Sequence, residues 1–296
     1  ALALRLAERV WPGALTLVLQ KGLRVPALVA ARGWTVAVRV PGHPVPRELA
    51  RRLGVPITGT SANRSGGPEP RTADEVRRRF LIPLWNVYSF FVTYANIDSF
   101  NPADTESTAP ESEMDRWILS EVHSLVAEVT RSLDDYDSAD AGRGIEEFVD
   151  LLSNWYVRRS RRRFGKSEND QDKLAAYHTL HTCLVTLSKL LAPFTPFIAE
   201  EMYQNLVRSV GQNAPESVHL AAYPVSDPMQ IDNNLSQATR LAMKVSSLGR
   251  SARSKAGIKV RQPLSRVLVK PRTAEETGML EQMSSQILDE LNVKEV

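Results

Sequence analysis

The stretch Asn154 to Phe164, NWYVRRSRRRF, packs five arginines and three aromatic rings into one short segment. A guanidinium binds phosphate through a planar fork of donors and stacks on bases, and aromatic rings supply stacking platforms. These residue types therefore suit a splayed, single-stranded polyanion. On a helix, Arg158, Arg161 and Arg162 fall on one side and Arg159 and Arg163 on an adjacent one, with Trp155 and Tyr156 one turn earlier. The competing reading makes the aromatics core residues and the arginines partners of the acidic run 98–150. Ion pairs between neighbouring helices are common and individually weak.

A second stretch, GTSANRSGG at 59–67, is rich in Gly, Ser and Asn. Such a loop offers free backbone N–H groups and short hydroxyl and amide side chains that can wrap phosphate or carboxylate oxygens, although a serine-rich turn is more often only a turn. His178, His181 and Cys183 lie close together, but the spacing matches no usual zinc pattern and no second cysteine exists; a helix-surface histidine pair is the better reading. No paired-carboxylate motif occurs between Asp98 and Asp150, which reads as a solvated face, and there is no phosphate-binding glycine-rich loop of the P-loop type. Neither a metal site nor a catalytic residue is expected.

The net charge of +3 hides a segregated distribution. Residues 1–80 hold 14 basic against 5 acidic groups, and residues 81–157 hold 3 against 15. Residues 158–166 then bring five arginines and a lysine with no acid, and residues 240–272 bring ten Lys/Arg with none. Segregation of this kind suits a polyanionic partner on particular faces. At 296 residues, 43% hydrophobic and 24% charged, the composition is globular and excludes disordered, collagen-like and disulfide-scaffold classes. The single cysteine, the lack of an apolar run of membrane-spanning length and the charges within ALALRLAERV point to a cytoplasmic protein with no membrane contact.

The elements that must position these residues change character near Phe80. Before it, ALALRLAERV and VPRELARRLG read as helices, the second closed by Gly54, and LTLVL and TVAVRV read as strands. A further helix start is expected at Thr72. After it, the period is helical almost throughout. Met114, Trp117/Ile118, Val122, Leu125, Val129 and Leu133 form one apolar stripe; Leu174, Tyr177, Leu180, Leu184, Leu187 and Leu191 a second; Leu235, Ala238, Leu241, Val245, Leu248 and Ala252 a third. Long helices with short connections make a bundle. LSRVLVKP then reads as a strand, TAEETGMLEQMSSQILDELN as a helix, and NVKEV as a strand begun and cut short, as if the chain ended inside a domain.

Two resemblances sharpen this picture. WPGALTLVL, TVAVRVPGHPV and TGTSANRSGGPEPRTADEV, in that order, resemble the second half of the YrdC/Sua5 threonylcarbamoyl-AMP synthases. The resemblance implies that Arg39 holds nucleotide phosphates and that Ser61 and Asn63 line a nucleotide and substrate pocket. The family's first half, with the basic motif that completes its site, is missing, so catalysis by this segment alone is not expected. From about Leu81 onward, LIPLWNVYSFFVTYANIDSF, MDRWILSEVHSLV, FVDLLSNWYVRRSRRRF, LLAPFTPFIAEEMYQNLV and SLGRSARSKAGIKVRQPLSRVLV resemble the region after the catalytic core of isoleucyl-tRNA synthetases. This implies a bundle that grips the anticodon stem and loop of isoleucine tRNA, with contacts from Trp155, Arg158, Arg159, Arg161 and Arg162, and a second surface at Arg250, Arg253, Lys255, Lys259 and Arg261. Gly165 stands where that family usually continues its aromatic–basic helix with tryptophan.

The expectation is therefore a mainly α chain in three parts. Residues 1–80 form a partial α/β segment, 81–262 an anticodon-binding helical bundle, and 263–296 the start of a small α/β domain. Both resembled families use ATP, but this chain carries no H-I-G-H-like or K-M-S-K-S-like motif, so no cofactor and no isoleucine activation are expected, and no DNA partner. The alternatives are a tRNA-modification fragment of the threonylcarbamoyl-AMP synthase type, or a chimeric gene product with no activity of its own. The junction DEVRRRF serves both resemblances with no linker between them.

Overall fold

The computed structural model describes residues 2–13, 16–22, 25, 34–42, 44–56, 77–103, 112–165, 170–211 and 213–295. They divide into two compact units, Ala1–Val76 with Glu128–Gly144, and Arg77–Ala127 with Ile145–Val296.

In the first unit, helix α1 (Leu2–Val10) is followed by strands β1 (Leu17–Gln20) and β2 (Thr35–Val38) and by helix α2 (Pro44–Leu53). The strands are antiparallel, with Leu17 opposite Val38 and Gln20 opposite Thr35. Gly54 follows α2 at φ +69°, the left-handed closure that its residue type suggested. Gly13 donates its N–H to Val40 O at 2.8 Å, and a Cβ there would lie 2.3 Å from the Val10 carbonyl oxygen, so no side chain fits. None of the described side chains between residues 2 and 56 is buried, and Trp34 and Val18 stand largely in solvent.

From Arg77 onward the described chain is mostly helical, and the stretch Glu128–Gly144, the end of one helix and the start of the next, is grouped with the first unit. Helix α3 (Ile82–Ile97), entered through a π-helical turn at Arg77–Leu81, buries Leu84, Val87, Tyr88, Phe91 and Ala95 on one face. One sequence expectation needs correction here: the continuous helix 77–97 is long and apolar enough, by length and composition, to cross a bilayer. Its buried face instead packs against the bundle, with Phe91 edge-on to Tyr177 and Phe90 edge-on to Phe164. Helix α4 (Glu113–Asp134) starts at Ser112, whose hydroxyl accepts the Asp115 N–H. Helix α5 (Ser138–Leu151) runs through a π-helical stretch, Leu152–Val157, into α6 (Arg158–Gly165). Helices α7 (Asp170–Leu191), α8 (Pro196–Tyr203, with proline in its first turn) and α9 (Asn233–Lys255, capped by the Asp232 carboxylate on Leu235 N–H) follow.

The first two apolar stripes line the core as expected, from Trp117 to Val129 and from Tyr177 to Leu191. The third departs from expectation after Val245. There the buried face turns to Ser246, Gly249 and Arg253, leaving Leu248 exposed. The reason is the helix packed on it: a Cβ on Gly249 would sit 2.6 Å from both methyls of Leu291. Leu291 belongs to α11 (Ser284–Leu291), which with α10 (Ala274–Gln282) packs on α9. The expected single helix breaks at Met283, fully buried with its sulfur against Thr239 and Gln286. Strands β3 (Leu264–Arg266) and β4 (Val293–Glu295) pair in parallel. The strand expected over 264–271 is thus confined to its first three residues, and residues 263–295 lie in the same compact unit as the bundle.

Charge also shapes the core, which corrects the reading of 98–150 as a uniformly solvated face. The Asp115 carboxylate is fully buried; its Oδ1 accepts the Tyr156 hydroxyl at 2.6 Å and Arg163 Nη1 at 2.8 Å, and its Oδ2 accepts Arg163 Nη2 at 2.7 Å. Arg163 also forks onto Asp172, at 2.9 and 2.6 Å. Burial opposes the charge on Arg163, but these carboxylates outweigh it and hold the guanidinium more firmly protonated than usual. Glu121, also buried, joins α4 to α9 by accepting Trp117 Nε1 and Arg240 Nη2. Asp98 accepts Lys173 and the Tyr177 hydroxyl, fixing the end of α3 to α7.

Removing the buried Asp115 carboxylate would leave Arg163 and Tyr156 under-partnered. Asp115→Ala is expected to destabilise the helical unit by about 3–5 kcal/mol, read as a drop in the urea midpoint of the far-ultraviolet circular dichroism signal. An unchanged midpoint would show that the network contributes nothing net.

Candidate nucleic-acid interface

The π-helical stretch decides which way the basic segment faces. Four of its six residues, Leu152, Trp155, Tyr156 and Val157, are buried, the last three in succession. A single-turn π-helical stretch of this kind inserts one extra residue into the helical register. The arginines that follow are then divided by role. Arg163 turns inward to Asp115 and Asp172, while Arg161 and Arg162 point to solvent. Arg161 lies 5.8 Å over the Phe90 ring, and neither arginine has an acidic partner among the described residues. The described part of the helix runs to Gly165, which is exposed with open space where a side chain would stand.

Arg158 and Arg159 are engaged differently. Both donate to one oxygen of Glu290 on α11, at 2.7 and 2.8 Å, and Arg250 of α9 donates to the other oxygen at 2.8 Å. The Glu290 side chain is 3% exposed, whereas those of Arg158 and Arg250 are 47% and 42% exposed. Burial alone would raise the Glu290 carboxyl, but the hydrogen bonds and charges of Arg158 and Arg159 prevail and hold it below the usual carboxylate range. The exposed Asp289 adds a longer contact to Arg159, at 3.6 Å.

Trp155 is not placed as a stacking platform for bases. It is 4% exposed and lies beneath the two arginines, with Arg159 at 5.3 Å and Arg158 at 5.8 Å from its ring centroid. Its face is a platform for guanidinium groups. Arg253, expected on the second basic surface, is also buried. Its donors go to the carbonyls of Lys259, Gln262, Leu291 and Asn292, so it closes the end of α11. Lys255, Lys259 and Arg261 remain exposed at the exit of α9. The structure thus brings Arg158, Arg159 and Arg250 together, leaves Arg161, Arg162, Lys255, Lys259 and Arg261 at the surface, and turns Trp155 and Arg253 inward.

Glu290, the residue that joins the two basic helices, was missed. It lies 132 positions beyond Arg158 in an unremarkable DEL triplet, and no local spacing marks it. Among the residues suspected of nucleotide contact, Arg39 is exposed and donates Nε to the Gly13 carbonyl at 2.9 Å. Ser61 and Asn63, and the helix start at Thr72, lie outside the described residues. His181 is not a surface residue. Its Nε2 sits 3.0 Å from the Leu206 carbonyl, and burial lowers its affinity for a second proton.

Comparison with known proteins finds two family models on the chain. The model of the anticodon-binding domain of tRNA ligases matches residues 115–268. The model of the Sua5/YciO/YrdC family, described as telomere recombination, matches residues 1–99. Isoleucine--tRNA ligase of Dehalococcoides mccartyi strain CBDB1 is 63% identical over 221 residues, 74% of this chain and 22% of that protein. Isoleucine--tRNA ligase of Thermus thermophilus is 47% identical over 228 residues, 77% of this chain and 22% of that protein. The chain therefore spans about a fifth of the length of the curated relatives it matches. A solved leucyl enzyme in a ternary complex, from Agrobacterium radiobacter K84, aligns over 60% of this chain at 19% identity and a TM-score of 0.35.

The depressed Glu290 carboxyl has a pH consequence. Its ion pairs stabilise the docking of α11 fully above the unfolded carboxyl value near about 4.3, and that stabilisation is lost as pH falls through the lower folded value. Hydrogen exchange across residues 284–291 is expected to accelerate below about pH 4, beyond the intrinsic rate change, and Glu290→Gln should remove that step. A pH-independent protection factor in the parent chain would contradict this account.

Proposed function

Because the chain belongs to the family of anticodon-binding domains of tRNA ligases, we propose that its helical unit binds the anticodon stem and loop of isoleucine tRNA. The observation that carries the reading is the exposed pair Arg161 and Arg162 on α6, beside Arg158 and with no acidic partner among the described residues, on a helix whose Arg159 and Arg163 are committed to buried carboxylates. The isoleucine branch is supported by relatives named isoleucine--tRNA ligase at 63% and 47% identity.

Phosphate contacts fix register and orientation, while unpaired bases of the loop supply identity. Arg161, Arg162 and Arg158 are assigned to the phosphates of one strand, and Lys255, Lys259 and Arg261 to a second, more peripheral stretch. Trp155 acts at one remove, by holding the planes of Arg158 and Arg159. The unit is proposed as a binding module, and the aminoacylation named for its relatives is not attributed to it.

Binding of the whole chain to isoleucine tRNA and to a non-cognate tRNA, across a salt series, tests the reading. Preference for the isoleucine tRNA is expected, and Arg161→Ala and Arg162→Ala should each reduce the salt slope by about one. Equal, weak binding to both tRNAs that vanishes in moderate salt would reduce the surface to general basic attraction. Trp155→Ala should weaken binding together with stability, by about 3–5 kcal/mol for the latter, since its ring lies in the core.

A further inference from the structure

The two basic surfaces suggested by the sequence, on α6 and α9, meet at one point. Arg158 and Arg250 approach the opposite oxygens of the Glu290 carboxylate, each within 2.8 Å, while Arg159 lies deeper against the same group. Three guanidiniums, of Arg158, Arg159 and Arg250, thus meet two carboxylates, Glu290 and the exposed Asp289. The cluster keeps a positive surplus although its acidic centre is buried. A buried carboxylate under half-exposed guanidiniums fixes their planes and leaves their outer N–H donors directed away from it. Two guanidiniums held this way present a forked site of the kind that a single tetrahedral oxyanion fills. Beneath them, Trp155 Nε1 and Arg159 Nε are buried with no hydrogen-bond partner among the described residues.

We propose that Glu290 is a positioning residue that assembles Arg158 and Arg250 into one site for a phosphodiester group of the bound RNA. The proposal rests on the reading that this unit binds tRNA, and it specifies how two helices share one backbone phosphate. Glu290 does not touch the RNA. It cancels part of the repulsion between the guanidiniums, so that they converge before the ligand arrives. The shared carboxylate couples Arg158 to Arg250, since each helps to neutralise the group on which the other is held.

The test uses the whole chain and isoleucine tRNA, with log K measured against log salt. Glu290→Gln is expected to weaken binding about tenfold at low salt, through loss of charge-assisted positioning. It should also lower the salt slope by about one, as though one phosphate contact had gone. Arg250→Gln, which leaves Glu290 paired with Arg158 and Arg159, should lower the slope by the same amount. In an Arg158→Gln/Arg250→Gln background, Glu290→Gln should have no further effect on the slope. A purely structural role would lower stability and affinity in every background and leave no such dependence.

Tighter binding by Glu290→Gln would overturn the proposal and make Glu290 a competitor that restrains the arginines. An unchanged slope in both Glu290→Gln and Arg250→Gln would overturn it as well. If Glu290→Gln does not fold, the arginine pair decides: a shared phosphate predicts that Arg158→Gln/Arg250→Gln lowers the slope by no more than either single substitution, and additive losses overturn the proposal. Failure of the parent chain to bind tRNA would instead sink the functional reading beneath it, which separates the two outcomes.

Discussion

A carboxylate with no access to water has to be satisfied by donors, and Asp115 sets this condition on the helical unit. It lies in the first turn of α4 and draws in Tyr156 from the π-helical stretch and Arg163 from α6, which in turn holds Asp172 in the first turn of α7. Three helices are thereby fixed at one end by a single chain of charge-assisted hydrogen bonds. The position of every residue on the basic helix follows from it. Once Arg163 is turned inward and Tyr156 lies in the core, Arg161 and Arg162 have only the outward direction left. Asp115 thus gives the surface its facing without lying on it.

The same economy of charge recurs at the other end of α6. Where Asp115 is matched by one arginine and a phenol, Glu290 receives three arginines from two helices. The first arrangement uses up its cation, and the second leaves a surplus at the surface. Both carboxylates are buried, so the difference in what they do comes from the number of guanidiniums directed at each. A basic cluster in a sequence therefore does not mark a binding surface by its count of arginines. What matters is how many of them find an acid in the fold.

This distinction explains how much could be read from the sequence. The apolar stripes on α4 and α7, the Gly54 closure and the helical character from residue 81 onward follow from local periodicity and backbone preference, and these were legible. The burial of Arg253 and the pairing of Arg158 and Arg159 with Glu290 were not, because they depend on α11, which lies more than thirty positions away from the nearest of them and packs through Gly249. A stripe drawn through Leu248 and Ala252 looks better on hydrophobicity alone. The packed face runs through glycine, serine and arginine instead, since a close helix approach needs small residues and the orphan carbonyls at the end of α11 need a donor. The helices Leu2–Val10 and Pro44–Leu53 and the two strands between them were also legible from periodicity and β-branched runs.

The π-helical stretch Leu152–Val157 acts as a phase shifter between two registers of the same rod. The residues before it are set by the core of α5, those after it by the carboxylates of α4 and α11, and the one residue of slack lets both registers be satisfied at once. The orientation of the arginine face is consequently encoded in a residue count as much as in residue types. A chain with every side chain conserved but one position fewer in this stretch would turn the following helix by about 100° and move it about 1.5 Å along its axis. It would keep its composition, its charge and its motif, and aim them at the wrong side.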